Sequence, residues 1–183
     1  MKKTNKLSPE KWFCIGIPVT FLLGSLLHFV YDWSSQMAIV GIFAPVNESI
    51  WEHLKLAFFP LLLWNTLGYL KFKNDYNFKN RSYLIGSGVS AIVAPLIIVT
   101  FYYTYTGAFG IHSIVLDIFS LLLAIALSQT LAIHIYKYGS FSISALFITY
   151  ALVFIFIALF ITFTFNPPHL PMFLDGQTGT YGA

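Results

Sequence analysis

The stretch FAPVNESIWEHLK, residues 43–55, places four ionisable side chains in an otherwise apolar part of the chain. They are Glu48, Glu52, His53 and Lys55. Two glutamates four residues apart on a helix lie on one face and repel each other when both are ionised. A bound cation, a shared proton, or Lys55 together with the helix N-terminus would relieve that repulsion. The spacing therefore predicts a charged site.

Further candidates for such a site lie on other apolar segments. Imidazole nitrogens and carboxylate oxygens suit zinc or a similar divalent ion. The candidate metal ligands are His28, Asp32, His53, His112 and Asp117. Glu52 or Glu48 would act as general base on a water whose pKa the metal lowers. No H-E-x-x-H or comparable spacing is present, so the site depends on the fold that brings these residues together.

Some of these residues also have a structural interpretation. Asn47 followed by Glu48 is typical of a helix N-cap and its first-turn carboxylate, which alone would explain the pair. His28 and Asp32 lie four residues apart on one helix face and could form an orienting hydrogen bond. Both interpretations stay open beside the metal site.

The fourth apolar segment carries one candidate at its mouth and one inside it. A lone histidine at the mouth, His112, is typical of the lipid interface. Asp117 lies within the apolar span, where a carboxylate costs roughly 3 kcal/mol on insertion scales, and this favours a functional role. Trp33, Trp51 and the run FYYTYTGAF (101–109) are typical of an interfacial aromatic belt.

The composition of the chain indicates whether these residues act in water or in a lipid bilayer. The 183 residues are 57% hydrophobic and 9% charged, with a mean hydropathy of +0.75, whereas about a quarter of a soluble domain is charged. A hydrocarbon core of roughly 30 Å needs about 20 apolar residues per helix. We expect an all-α integral membrane protein, with one domain over residues 1–183. Its predicted helices span residues 12–31, 53–70, 83–104, 113–135 and 142–165, with an interfacial segment at 37–52 and a tail at 166–183.

The positions of lysine and arginine predict the orientation in the membrane. They cluster before residue 12, between residues 71 and 81, and at Lys137, as cytoplasmic segments do. This predicts a multi-pass protein of the cell membrane, with the N-terminus inside and the C-terminus outside. The net charge of +3 is explained by this sidedness, so we expect membrane lipid and no nucleic acid as partner.

Small residues recur every three or four positions on three of the predicted helices. Such stripes allow helix backbones to approach closely in membranes, so they predict packing seams and permit a homo-oligomer. The stripe of the first helix, Gly16, Thr20 and Gly24, continues in steps of four to His28 and Asp32. The polar residues are therefore expected to face the interior of the bundle. A single cysteine, Cys14, excludes a zinc site built from several cysteines of one chain.

Three stretches together resemble a known family. HFVYDWS (28–34), GIFAPVNESIWEHLKLAFFP (41–60) and PPHLPMFLDGQTGTYG (167–182) look like an uncharacterised family of small multi-pass bacterial membrane proteins, a domain of unknown function with a PVNESxWEHxK motif. The resemblance spans nearly the whole chain. It implies the fold boundaries and no activity, substrate or cofactor.

The residues leave three functions open. The first is a metal-dependent membrane hydrolase that acts at the outer leaflet on a lipid or lipid-linked substrate. The second is a proton- or cation-coupled carrier in which Asp117 and Glu52 take up the ion. The third is a non-enzymatic accessory or assembly subunit whose polar cluster only holds the bundle together.

The tail carries its own prediction. Three prolines, an apolar triplet at 172–174 and the turn-forming DGQTG predict an ordered segment. We expect it to fold back as a lid over the outer cavity and to bring His169 or Asp175 near Glu48. The alternative is a frayed terminus, as chain ends commonly are.

Overall fold

The computed structural model describes residues 7–183, and this part of the chain is helical, with no named strand. Within residues 7–183, seven α-helices follow one another, and a short 3-10 helix lies in the tail. Their bounds are α1 Pro9–Trp33, α2 Ala38–Gly41, α3 Ile50–His53, α4 Lys55–Phe72, α5 Asn80–Phe109, α6 Ile114–Tyr138, α7 Ile143–Phe165 and the 3-10 helix Pro171–Phe173. The predicted all-α class is confirmed.

In the described part of the chain, four helices are long and apolar enough to cross a membrane, namely α1, α5, α6 and α7. The shortest, α7, has 23 residues and rises about 34 Å, more than the roughly 30 Å of a hydrocarbon core. These helices support a multi-pass membrane protein. With 18 residues and lysines near both ends, α4 is not among the four. The fifth spanning helix, the orientation of the termini and the cell membrane as location stay predictions.

The sequence explains where α1 begins and ends. Ser8 caps its N-terminus by accepting a backbone hydrogen bond, and Pro9 occupies the first helical position, where no N–H is needed. Beyond the helix, the chain turns through Ser35 and Gln36, which have φ values of 57° and 60°. Gln36 N donates to Tyr31 O at 3.0 Å. Non-glycine residues rarely adopt positive φ. This hydrogen bond helps to stabilise the unfavourable backbone conformation of the turn.

The long helices alternate in direction, so the bundle has two distinct ends. At one end, Lys79 Nζ donates to Lys137 O and Arg81 Nη1 donates to Phe141 O, each at 2.8 Å. These bonds join the start of α5 and the residue before it to the end of α6 and the loop after it, and we call this the basic end. We call the other end, where α1 and α7 finish and α3 begins, the polar end.

Helix α1 crosses α4 where the two backbones nearly touch. A Cβ atom added at Gly24 would overlap the carbonyl oxygen of Leu56, and one added at Gly16 would overlap the Gln129 side chain. Gly16, Thr20 and Gly24 are all buried within the chain. This stripe therefore packs inside one molecule, and a homo-oligomer through the small-residue faces stays a prediction.

A buried amide pair joins α4 to α6 midway through the bundle. Asn65 Nδ2 donates to Gln129 Oε1 at 3.4 Å, and Gln129 Nε2 donates to Asn65 Oδ1 at 3.3 Å. Asn65 Nδ2 also donates to Ser90 Oγ of α5 at 3.0 Å, and Tyr83 OH donates to Asn65 O at 3.2 Å. Unpaired amides are costly away from water, so these bonds fix how α4, α5 and α6 lie beside one another.

Replacing Gly24 by alanine tests the helix crossing. We expect a loss of about 1–3 kcal/mol in the free energy of unfolding, because the new methyl group must push α1 away from the α4 backbone. Thermal unfolding in detergent measures this loss. The control is Gly107→Ala on α5, where an added Cβ meets nothing within 4 Å, so that stability should be unchanged or slightly higher. Equal stability of the two variants would contradict the crossing.

Candidate metal centre at the polar end

The short helix α3 positions the charged motif. It begins at Ile50, and its N-cap is Ser49, whose Oγ accepts from Glu52 N at 3.3 Å. Asn47 comes earlier, and its Oδ1 accepts from Ser49 N at 2.9 Å. The prediction that Asn47 caps the helix with Glu48 in its first turn is wrong, because the serine hydroxyl takes the cap. Glu48 therefore stands in the loop before α3, and it shares no helix face with Glu52.

Two histidines and one glutamate bring three donor atoms together at this end. His53 Nε2 lies 3.3 Å from His28 Nε2. Glu48 Oε2 lies 3.4 Å from His53 Nε2 and 3.7 Å from His28 Nε2. The three residues come from α3, α1 and the loop before α3, and one donor atom of each lies within 4.8 Å of the others. We call this group the His–Glu–His cluster.

The backbone of α3 orients the ring of His53. His53 Nδ1 lies 2.8 Å from Ser49 O, and a carbonyl can only accept a hydrogen bond. Nδ1 therefore carries the proton, and in the neutral ring Nε2 keeps its lone pair. This arrangement aims an unprotonated nitrogen at His28 and Glu48, and a backbone carbonyl in this role is typical of a metal-binding histidine.

The cluster is half-buried and electrostatically coupled. The exposed fractions of the side chains are 33% for His28, 36% for Glu48 and 27% for His53. The adjacent His53 imidazole lowers the pKa of Glu48 and outweighs the effect of burial. Burial by itself would lower the pKa of His53, but Glu48 and the Ser49 carbonyl together raise it. The metal-free cluster therefore favours an ion pair between Glu48 and His53.

Within the same motif, Glu52 and Lys55 form a fully buried ion pair. Lys55 Nζ lies 2.6 Å from Glu52 Oε2, and the exposed fractions of the two side chains are 0% and 2%. Glu52 Oε2 also accepts from Val46 N at 3.0 Å, and Oε1 accepts from Thr164 Oγ1 at 2.8 Å. Both oxygens of this carboxylate, predicted as a general base, are thus engaged in contacts within the fold.

The Lys55 ammonium group also joins separate segments of the chain. It donates to Gly41 O at 2.7 Å, to Ala44 O at 3.4 Å and to Thr164 Oγ1 of α7 at 2.6 Å. A buried charge is tolerated when it is paired and hydrogen-bonded. Among the ways to relieve charge repulsion in the motif, the one present here is the pairing of Glu52 with Lys55.

The other predicted ligands lie outside the His–Glu–His cluster. Asp32 is exposed near the end of α1. Asp117 accepts a hydrogen bond from Tyr105 OH at 2.7 Å, and His112 Nδ1 lies 3.1 Å from Tyr102 OH. Of the residues predicted as ligands or base, the donor group within 4.8 Å contains His28, Glu48 and His53.

The tail, residues 166–183, is folded back on the polar end. The charge of Asp175 lies near enough to Glu48 to oppose the lowering of its pKa by His53. His169 instead stacks on Tyr181, with ring centroids 4.5 Å apart. Of the two tail residues expected near Glu48, the structure therefore places Asp175 there.

Three residues of this end were not indicated by the sequence. Ser49 caps α3, Thr164 binds the buried ion pair, and Tyr105 binds Asp117. Thr164 is one of several hydroxyl side chains in an otherwise apolar helix, and Tyr105 belongs to an aromatic run typical of the interface. Their roles depend on contacts across the fold, which no local spacing signals.

Comparison with known proteins places the whole chain in one family. Residues 1–183 match the family described as "Family of unknown function (DUF6512)". The chain belongs to DUF6512. This confirms the resemblance drawn from the sequence to a family of unknown function. No curated protein and no solved structure matches the chain, so the site of this DUF6512 member must be interpreted from its own geometry.

Removing the buried cation should destabilise the DUF6512 chain. Lys55→Met leaves Glu52 as an unpaired buried charge, and we expect a loss of about 3–5 kcal/mol in the free energy of unfolding. The double variant Glu52→Gln/Lys55→Met should recover part of this loss. Thermal unfolding in detergent measures both, with Lys137→Met at the basic end as a near-neutral control. A loss under about 1 kcal/mol for Lys55→Met would contradict the role of the pair.

The stability of the metal-free chain should depend on pH through the cluster. The pKa of Glu48 is lowered from about 4.5, so its contribution is present above that pH and is lost as the pH falls through the lowered pKa. The pKa of His53 is raised from about 6.5, so its contribution is present below that pH and is lost as the pH rises through the raised pKa.

The contribution of the pair should therefore be largest between about pH 4.5 and pH 6.5. The melting temperature of wild type in the presence of a chelator, minus that of His53→Gln, measures this contribution across the pH range. A difference that keeps growing above pH 8 would show that the pair is not an ion pair.

Proposed function

We propose that this protein is a metal-dependent membrane hydrolase, in which the His–Glu–His cluster binds a zinc-type divalent ion and the substrate is an ester of a membrane lipid or lipid-linked molecule. The observation that carries the proposal is the convergence of three donor atoms from separate segments within 4.8 Å. Two histidines and one glutamate are also the protein ligands of several catalytic zinc sites.

The distances between the donor atoms support zinc in particular. With bonds of about 2.0–2.2 Å, two ligand atoms of a tetrahedral zinc site lie about 3.3–3.6 Å apart. The three separations in the cluster are 3.3, 3.4 and 3.7 Å. The donors therefore lie close to the positions that zinc would need, with an adjustment of a few tenths of an ångström for the longest separation.

The surroundings of the cluster favour a catalytic site over a structural one. Structural zinc sites have four protein ligands and are closed, whereas catalytic sites have three and leave a position for water. The described residues offer three donors here, and about a third of each side chain is exposed. Ser49 O supplies the outer hydrogen bond that fixes the His53 ring.

The chemistry follows from the open position. Zinc held by His28, Glu48 and His53 would lower the pKa of a bound water to about 7 and so would supply a nucleophile at neutral pH. Hydrolysis would form a bond between the oxygen of that water and the acyl or phosphoryl centre of the ester. The bond from that centre to the departing oxygen would break, and the departing oxygen would take the proton. His28 lies near the end of a helix long enough to span a membrane, which supports a substrate held at the membrane surface.

The contacts of the remaining acidic residues favour the hydrolase over a carrier. A carrier would need Glu52 and Asp117 to bind and release protons or cations. Glu52 is paired with Lys55 and bonded to Thr164, and Asp117 accepts from Tyr105. An assembly subunit would need the cluster only for cohesion, and its metal content and activity would then be nil.

Metal analysis of the purified protein tests the proposed site. After exposure to zinc and removal of loosely bound metal, we expect about one zinc ion per wild-type chain, because three preformed ligands bind tightly. His53→Gln and Glu48→Gln should lose it, whereas the control His134→Gln near the basic end should retain it. Absence of zinc from wild type, or equal zinc in all four proteins, would refute the site.

Hydrolysis is tested with the same set of proteins. Wild type in vesicles that contain a fluorescent ester lipid should release the acyl chain or head group, a chelator should stop the reaction, and added zinc should restore it. His134→Gln should be active, and Glu48→Gln should be inactive. Stoichiometric zinc without hydrolysis of acyl and phosphate esters would refute the hydrolase and leave a metal-binding protein.

A further inference from the structure

The loop that carries Glu48 has a hydrogen-bonded neighbour far away in sequence. Asn47 Nδ2 donates to Gly182 O at 3.1 Å, while Asn47 Oδ1 accepts from Ser49 N at 2.9 Å. Ala183 N donates to Thr164 O at 2.9 Å. The residue directly before Glu48 is thereby held on one side by α3 and on the other by the tail.

Aromatic packing anchors the tail on α3. Phe173 of the 3-10 helix is 4% exposed, and its ring centroid lies 5.1 Å from that of Trp51 and 5.3 Å from that of Phe163. Trp51 belongs to α3, between Glu48 and His53 in sequence. A buried aromatic contact of this kind resists displacement because it removes a large apolar area from the surroundings.

Beyond this anchor, the chain forms a compact turn that presents Asp175 to Glu48. Leu174 and Tyr181 form an antiparallel bridge, and Asp175 N donates to Thr180 O at 2.9 Å. The Asp175 carboxylate accepts from Gln177 N at 2.8 Å and from Thr178 Oγ1 at 2.7 Å. Although it carries a charge, Asp175 is 5% exposed, so the turn is packed against the protein rather than displayed to solvent.

Glu48 needs such support because it lies outside any helix. His28 lies on α1 and His53 on α3, whereas Glu48 lies in a loop. The residue before it, Asn47, is hydrogen-bonded to Ser49 N and to Gly182 O. A ligand on a free loop must lose conformational freedom when it binds a metal, and this loss weakens binding. A loop that is already held keeps the carboxylate near the two imidazoles before the metal arrives.

We propose that residues 166–183 act as a positioning segment for the metal centre. Docked on α3 and α7, this segment holds Glu48 beside His28 and His53. Metal binding and docking of the segment therefore strengthen each other. This inference rests on the proposed metal site and adds to it a means of regulation. Anything that displaces the segment weakens the site, and by thermodynamic reciprocity the bound metal strengthens docking. Phe173 and Asp175 are positioning residues in this scheme and not metal ligands.

Two variants with a matched control test the proposal. Phe173→Ala removes the anchor, and Asp175→Asn weakens the turn with a much smaller change of shape. Gln177→Ala changes an exposed side chain of the same turn. Competition with a chromophoric chelator measures zinc affinity, and we expect a decrease of about 10–100-fold in the first two variants, as for other outer-shell partners of metal ligands. Gln177→Ala should match wild type.

A metal-free measurement separates this proposal from the proposed function. Hydrogen exchange of a peptide covering residues 44–49, without metal, should be faster in Phe173→Ala and Asp175→Asn than in wild type. A peptide covering residues 79–82 at the basic end should be unaffected, which shows that the variants are folded. In wild type, zinc should slow exchange of residues 170–181.

The outcomes are distinct. Weaker zinc binding together with faster exchange of residues 44–49 supports the positioning segment. Unchanged zinc affinity in both variants, or unchanged exchange of that loop, overturns it. If wild type binds no zinc, the proposed function fails, and the exchange of residues 44–49 alone then decides whether the tail positions Glu48.

Discussion

The buried ion pair between Glu52 and Lys55 is the contact on which the polar end depends. It lies in a part of the molecule where charge is rare, and its 2.6 Å separation is surrounded by hydrogen bonds to three other segments. A buried pair of this kind contributes little net stability compared with apolar packing, but either partner left alone is strongly unfavourable. The pair therefore restricts the arrangement of this end. Helices α2, α3 and α7 must meet where their hydrogen-bond donors and acceptors can bind the Glu52 carboxylate and the Lys55 ammonium group.

The metal centre uses the geometry that the ion pair fixes. Within residues 47–55, some ionisable side chains make buried contacts inside the fold and others belong to the His–Glu–His cluster. Glu52 and Lys55 are directed into the fold, while Glu48 and His53 are directed toward His28. The short α3 makes this division possible, because Glu52 and His53 are adjacent in sequence and point about 100° apart on a helix. The Glu52 carboxylate can thus be buried in a structural role while the adjacent His53 remains available to bind a metal ion.

Much of the architecture could be predicted from sequence because it depends on hydropathy and length. Long apolar segments indicated α1, α5, α6 and α7, and the Gly16 to Gly24 stripe indicated a close helix contact.

The residues of the site were harder to predict than the helices. His28, His53 and Glu48 were named as parts of it, but so were Asp32, His112 and Asp117, which the cluster does not include. Whether a residue belongs to the cluster depends on how each helix is rotated about its axis. An apolar pattern does not determine that rotation closely enough to separate members from non-members. The cap at Ser49 was missed because Asn47 and Ser49 are both good capping residues, and backbone conformation decides between them.

The contact of Gly24 with the α4 backbone has a consequence for how this sequence can change in length. His28 stands four residues after Gly24, just over one helical turn, so the place where α1 touches α4 sets the direction in which the imidazole points. One residue inserted or deleted between them would turn His28 by about 100° and shift it by about 1.5 Å. The number of residues between this glycine and this histidine is therefore constrained by the metal centre, independently of which side chains stand between them.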